Sequence, residues 1–146
     1  MKAPIPRITA RNLQRKIRVN VSDLENFAHR AAKLCFQLRG KNEPEIEQFL
    51  EISILVVSDR KIAALHRQFM NESGPTDVIT FQHGEIFISA EMARRNAQRF
   101  KNSLASELGL YVVHGLLHLC GFDDRTPADA RNMERIQQEI VAKAEL

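Results

Sequence analysis

Leu108-Gly-Leu-Tyr-Val-Val-His114-Gly-Leu-Leu-His118-Leu-Cys120 is the stretch that decides the fold. It is the longest apolar run of the 146-residue chain and is interrupted only by its two histidines. It is too short to span a bilayer. Ser103 upstream is a residue type that caps helix N-termini. The pattern predicts one long buried helix from Ser103 to about Cys120, a central helix around which the rest of the chain packs. Gly121 follows, where a left-handed residue commonly ends a helix. His114 and His118 are four apart, so their imidazoles lie about 40° apart around the axis, one turn above the other. Both reach a cation placed on that face. Asp124, after the turn, can swing back as a third ligand, giving H-x3-H-x5-D. Three protein ligands leave one coordination position open, the pattern of a catalytic rather than a structural zinc.

On the N-terminal side of that helix, Ser89 can cap a helix through about Phe100, with Arg94, Arg95, Arg99 and Lys101 near its C-terminal end, where positive charge is favoured. Glu85-Ile-Phe-Ile-Ser89 reads as a strand, and Asp77-Val-Ile-Thr-Phe-Gln82 as its hairpin partner or close neighbour across the His83-Gly84 turn. Ser58 or Asp59 caps a helix to about Met70, closed by the turn residues Asn71 to Pro75. Glu51-Ile-Ser-Ile-Leu-Val-Val57 is a buried strand, and 41–49 a loop leading into it. A capping box, Ser22-Asp-Leu-Glu25, opens a helix whose apolar residues recur at three and four until Gly40. Residues 5–13 form a first strand. On the C-terminal side, Thr126-Pro-Ala-Asp129 is a capping box with proline in the first turn, starting a last helix to about Ala144. The order predicts an α+β fold: one compact domain over 1–146, with a mixed sheet of about four strands, about five helices, and the metal site at the C-terminal end of the central helix.

Composition agrees with this size of core, at 44% hydrophobic and 27% charged residues. No membrane span and no hydrophobic signal-peptide core is present, so a cytoplasmic protein is expected. Cys35 and Cys120 make no disulfide framework. Cys120 lies only two residues beyond His118 and points away from it, so it reads as a small buried hydrophobe. The net charge of +3 is uneven: residues 1–39 carry nine Lys/Arg against two acids. That front end suits a polyanion such as RNA, and equally an ordinary solvated basic face.

The metal pattern resembles the metalloprotease signature H-E-x-x-H-x-x-G-x-x-H/D, with one difference. Gly115 stands where the proton-accepting glutamate belongs. A protease therefore ranks behind other metal-dependent hydrolases. His114-Gly-Leu-Leu-His-Leu-Cys-Gly-Phe-Asp resembles the H-G-x-L-H-L-x-G-Y-D-H motif of the YbeY family of rRNA maturation factors. Pro75-Thr-Asp-Val-Ile-Thr-Phe81 resembles the family's P-T-D-V-L-S-F, and Gly84-Glu-Ile-Phe-Ile-Ser89 its G-D-I-x-I-S. The three occur in family order across roughly residues 50–140.

This resemblance implies a metal-dependent, single-strand-specific endoribonuclease. It further implies zinc as cofactor, 16S rRNA 3′-end maturation and ribosome quality control as roles, and ribosomal RNA and the small subunit as partners. The family's third histidine is Asp124 here, which makes the site more anionic and opens it to manganese or Fe(II). Asp123 is the adjacent alternative but matches the family's non-ligand aspartate. The family's arginine ahead of P-T-D-V falls at Met70, and Arg67, one turn back, is the candidate phosphate contact in its place. Asp77 and Glu85, from the matching motifs, are candidates for the general base, against strand or turn capping. Glu107, on the histidine face of the helix, is a candidate to orient an imidazole. His29, His66 and His83 read as surface or core histidines. Two rival functions stand beside the nuclease. One is a ribosome-associated assembly factor with a structural or vestigial metal. The other is a metal hydrolase of a non-RNA substrate.

Overall fold

The computed structural model describes residues 5–44, 51–81 and 83–145. Part of the 41–49 loop, and Gln82 of the expected 77–82 strand, lie outside them. The elements are β1 (Arg7–Asn12), α1 (Val21–Cys35), β2 (Glu51–Val57), α2 (Asp59–Met70), β3 (Val78–Thr80), β4 (Glu85–Ser89), α3 (Ala90–Phe100), α4 (Leu104–Leu119) and α5 (Pro127–Ala144). The strands form one mixed sheet in the order β1-β2-β4-β3. β1, β2 and β4 are parallel, and β3 runs antiparallel against β4. This is the expected α+β fold.

Register assigns the two faces of the sheet. Ile8 pairs with Ile52, Ala10 with Ile54, Ile54 with Ile86, and Val56 with Ile88. With side chains alternating along each strand, these residues share one face. They pack with Leu108, Val112, Val113 and Leu116 of α4 and with Ala28 and Ala31 of α1 in the main core. Val78 and Thr80 of β3, opposite Ile88 and Ile86, belong to the same face. The other face carries Val57, Ile79 and Phe87, covered by Ile62 and Leu65 of α2. α4 is central, touching α1, α3, α5, β3 and β4.

Three glycines set the close approaches. A methyl at Gly115 would lie 2.7 Å from Cγ2 of Ile86, so the absence of a side chain there lets α4 settle on β4. Gly121 has φ +97° and ends the last turn, as its position predicts. Gly40 has a different role from the one expected. α1 stops at Cys35, capped by Phe36. Gly40 instead lies against the Gly121 backbone, donating its N–H to Cys120 O at 3.0 Å. Asn42 donates to Gly121 O, also at 3.0 Å. The start of α1 also differs by two residues. The N-cap is Asn20, whose side chain accepts from Asp23 N, and Ser22 lies inside the first turn. Asparagine ranks with serine as a cap, and only the backbone trajectory chooses between them. The caps at Ser58, Ser89, Ser103 and Thr126 are as expected, each accepting from a backbone N–H three residues on.

Candidate metal centre and groove

The last turn of α4 presents His114 and His118 side by side, with ring centroids 4.5 Å apart. Their Nε2 atoms are 2.9 Å apart, and Asp124 Oδ2 lies 3.8 Å from His114 Nε2. One ligand atom from each of the three residues falls within a 4.8 Å group. Asp123, the neighbouring acid, turns elsewhere. Its Oδ2 accepts from Asn42 Nδ2 at 2.8 Å, and Lys41 Nζ is 4.0 Å from its Oδ1. The chain pinned by Gly40 and Gly121 thus removes Asp123 from the cluster and leaves Asp124 in it.

The outer hydrogen bonds fix the imidazoles in a metal-ready form. Phe122 O, 3.0 Å from His118 Nδ1, can only accept, so Nδ1 carries the proton and Nε2 a lone pair. On His114, Nδ1 meets Gln137 Oε1 at 2.5 Å, which places the proton on Nδ1 there too. Two lone pairs then face each other across 2.9 Å, an arrangement a cation satisfies. Burial, followed by the adjacent His114, holds the His118 imidazole below its ordinary value and favours the neutral, ligating form. The donor set of two imidazoles and one carboxylate fits zinc and other borderline divalent ions.

The cluster stands where two lobes of a groove meet. One lobe, about 480 Å³, runs between Val78 to Thr80 of β3, Met70 and Arg125. The other, about 510 Å³, runs past Asp77 and Asp124 toward Phe100 and α5. His114 lines both.

Asp77 is therefore on the groove, although its Oδ1 also caps the start of β3, accepting from Val78 N at 2.9 Å. Glu85 pairs with Ser53 on the sheet face away from Ile86 and α4, so it does not meet the cluster. Arg67 is exposed on α2 and absent from the walls of both lobes, whereas Met70 is on one. Glu107 is 4% exposed and accepts from Asn102 Nδ2 at 3.0 Å, so Gln137 and not Glu107 orients His114. His66 ties down the turn after α2 through Gly74 O and Glu72, and His29 and His83 are exposed.

Gln137 and Arg125 were not singled out by sequence reasoning. Gln137 is 23 residues from His114, on a different helix, and carries no spacing signal. Arg125 adjoins Asp124 and could have been found by asking which cation follows the third candidate ligand. Cys120 is fully buried, and burial pushes its thiol up to about 12, so it is the packed hydrophobe expected.

An α+β fold built on a mixed sheet, with a His-His-Asp group at a groove, defines a class of protein with a candidate metal centre on a buried helix. The family model described as Endoribonuclease YbeY matches residues 9–145, and this chain belongs to that endoribonuclease family. Among curated relatives bearing that name, the protein of Anaeromyxobacter sp. (strain Fw109-5) is 42% identical over 105 residues, 65% of this chain. That match spans 54% of the relative, about half its length. The protein of Thermobifida fusca (strain YX) is 32% identical over 138 residues, covering 83% of this chain and 85% of the relative. The solution structure of TM1509 from Thermotoga maritima superposes with a TM-score of 0.64 at 27% identity, covering 94% of this chain and 88% of that one.

Proposed function

We propose that this chain is a divalent-metal-dependent, single-strand-specific endoribonuclease of rRNA maturation, with His114, His118 and Asp124 holding one ion, zinc in the first instance. The observation that carries the reading is the convergence of two lone-pair Nε2 atoms and a carboxylate at the junction of two groove lobes. Such a groove suits an extended strand passing over the cluster, and membership of the endoribonuclease YbeY family supplies the substrate class. On the same grounds we assign it to the 3′ end of small-subunit 16S rRNA, to ribosome quality control and to the cytoplasm, as one domain over 1–146.

An ion held by His114, His118 and Asp124 would supply Lewis acidity and activation of water for attack. The protein's own groups do the rest. Gln137 and the Phe122 carbonyl hold the two rings in the ligating tautomer. Arg125, on the wall of one lobe, neutralises a backbone phosphate in place of Arg67. Asp77, which lines the same lobe as His114, serves as the proton acceptor through Oδ2, since its backbone cap uses Oδ1. Gly115 argues against peptide hydrolysis, because a glutamate there would collide with Ile86.

One observation favours the assembly-factor reading. The groove wall offers Met70, 45% exposed, where a phosphate-binding arginine belongs. Metal analysis paired with cleavage of a single-stranded precursor rRNA fragment separates the two. Stoichiometric metal and cleavage, both lost in His114→Ala and Asp124→Ala, establish the nuclease. Metal without cleavage establishes the assembly factor.

A further inference from the structure

The lobe that leads from His114 and Asp124 toward the end of α3 extends well beyond the metal cluster. Phe100 lines it and is 59% exposed. A lone exposed phenylalanine is ordinary. This one borders the same cavity as the metal cluster, and the Arg99 guanidinium lies over its ring, 5.3 Å from the centroid. An aromatic ring beside a cation is how proteins hold single-stranded bases, by stacking plus attraction for the phosphate.

The polar groups around it include several acceptors. Asn102 Nδ2 donates to the Glu107 carboxylate at 3.0 Å, which can only accept, so the orientation of that amide is fixed. Asn96 Nδ2 donates to the Tyr111 hydroxyl at 2.8 Å. Each amide thus commits one N–H to a buried neighbour and keeps its oxygen, with the second N–H, for a ligand. The Asp77 carboxylate lines the same lobe. These groups can receive the exocyclic amino group that adenine, guanine and cytosine carry and uracil lacks.

We propose that this lobe is a nucleobase subsite. A base of the bound strand stacks on Phe100 with its polar edge toward Asn96 and Asn102, so that a purine, with its larger stacking face, is preferred to uracil. The inference rests on the nuclease reading for its substrate, and a binding readout keeps the two separable.

The probe is a single-stranded 2′-O-methyl oligonucleotide, which resists cleavage, with 2-aminopurine moved one position at a time. It is titrated against metal-loaded wild type, Phe100→Ala and Phe100→Trp. Stacking quenches 2-aminopurine. The expected result is one strongly quenched position in wild type, lost in Phe100→Ala and kept in Phe100→Trp, with bound metal equal in all three. In cleavable RNA, Phe100→Ala then lowers kcat/KM about tenfold for a purine at that position, chiefly through KM, and far less for uracil. Quenching that is absent, or unchanged by Phe100→Ala, overturns the subsite whatever happens to cleavage. Phe100-dependent quenching in a protein that cleaves no RNA keeps the subsite and removes the nuclease reading.

Discussion

At the scale of the residue, the geometry of the cluster depends as much on its outer contacts as on its own three residues. Each histidine commits one ring nitrogen to the protein, His118 to Phe122 O and His114 to Gln137. The Phe122 carbonyl follows from where the backbone goes and cannot be deleted by substitution. Gln137 can. Gln137→Ala frees the His114 ring to rotate and to take either tautomer, so affinity for zinc is expected to fall about ten- to a hundredfold with the fold intact. Competition against a chromophoric chelator measures this. An unchanged affinity would mean that the α5 contact does not orient the ligand. The three residues of the cluster were legible because their spacing is local: i and i+4 on a helix, then a glycine and a short return. Gln137 was not, because its relation to His114 exists only once α5 has docked on α4.

At the scale of the element, two junctions carry predictions. The first is α4 on β4. Gly115→Ala gains about 1 kcal/mol of helix propensity but pushes a methyl into Ile86, at an overpacking cost of about 1–3 kcal/mol. Net destabilisation is expected in thermal unfolding. In a cycle with Ile86→Ala the two changes should be less than additive, because the methyl then fills the space vacated. Strict additivity would show that the side chains do not compete.

The second junction links the starts of α2 and α3. Ser89 caps α3 and donates to Asp59 Oδ1 at 2.7 Å, Arg95 Nη1 meets Asp59 Oδ2 at 2.7 Å, and Glu91 accepts from Asp59 N at 3.1 Å. Burial raises the Asp59 pKa, but the bonds from Arg95 and Ser89 outweigh it and leave it below the ordinary 3.8. A carboxyl depressed in the folded state stabilises above its unfolded pKa, and that contribution is lost as pH falls through the folded value. Wild type should therefore exceed Asp59→Asn in urea stability at pH 7 by about 1 kcal/mol or less, given the exposure of Arg95. The gap should close below about pH 4. A gap that persists at low pH would place its origin in packing instead of charge.

At the scale of the whole molecule, the two helix layers share one sheet, so the cores on its faces should melt together. A single transition with equal calorimetric and van't Hoff enthalpies is expected for 1–146. Metal is expected to add stability without creating the fold, because His114 and His118 stand on a helix already buried by Leu108, Val112 and Leu116. Chelator-treated protein should keep its helical circular dichroism and melt at a lower temperature. Free zinc at a hundred times its Kd should restore about 2.7 kcal/mol. Loss of the helical signal on chelation would make the ion a structural one.

The sequence by itself determined the elements, most of their caps and the three residues of the cluster. Each of these follows from periodicity or spacing within one segment, where the backbone geometry is known in advance. Only the tertiary structure decided what converges from distant segments. It put Glu85 on the far face of the sheet and Arg67 off the groove, made Gly40 a partner of Gly121, and brought Gln137 and Phe100 to the site. Those outcomes depend on strand register and helix docking, which the summed packing of the whole chain fixes and no local pattern encodes.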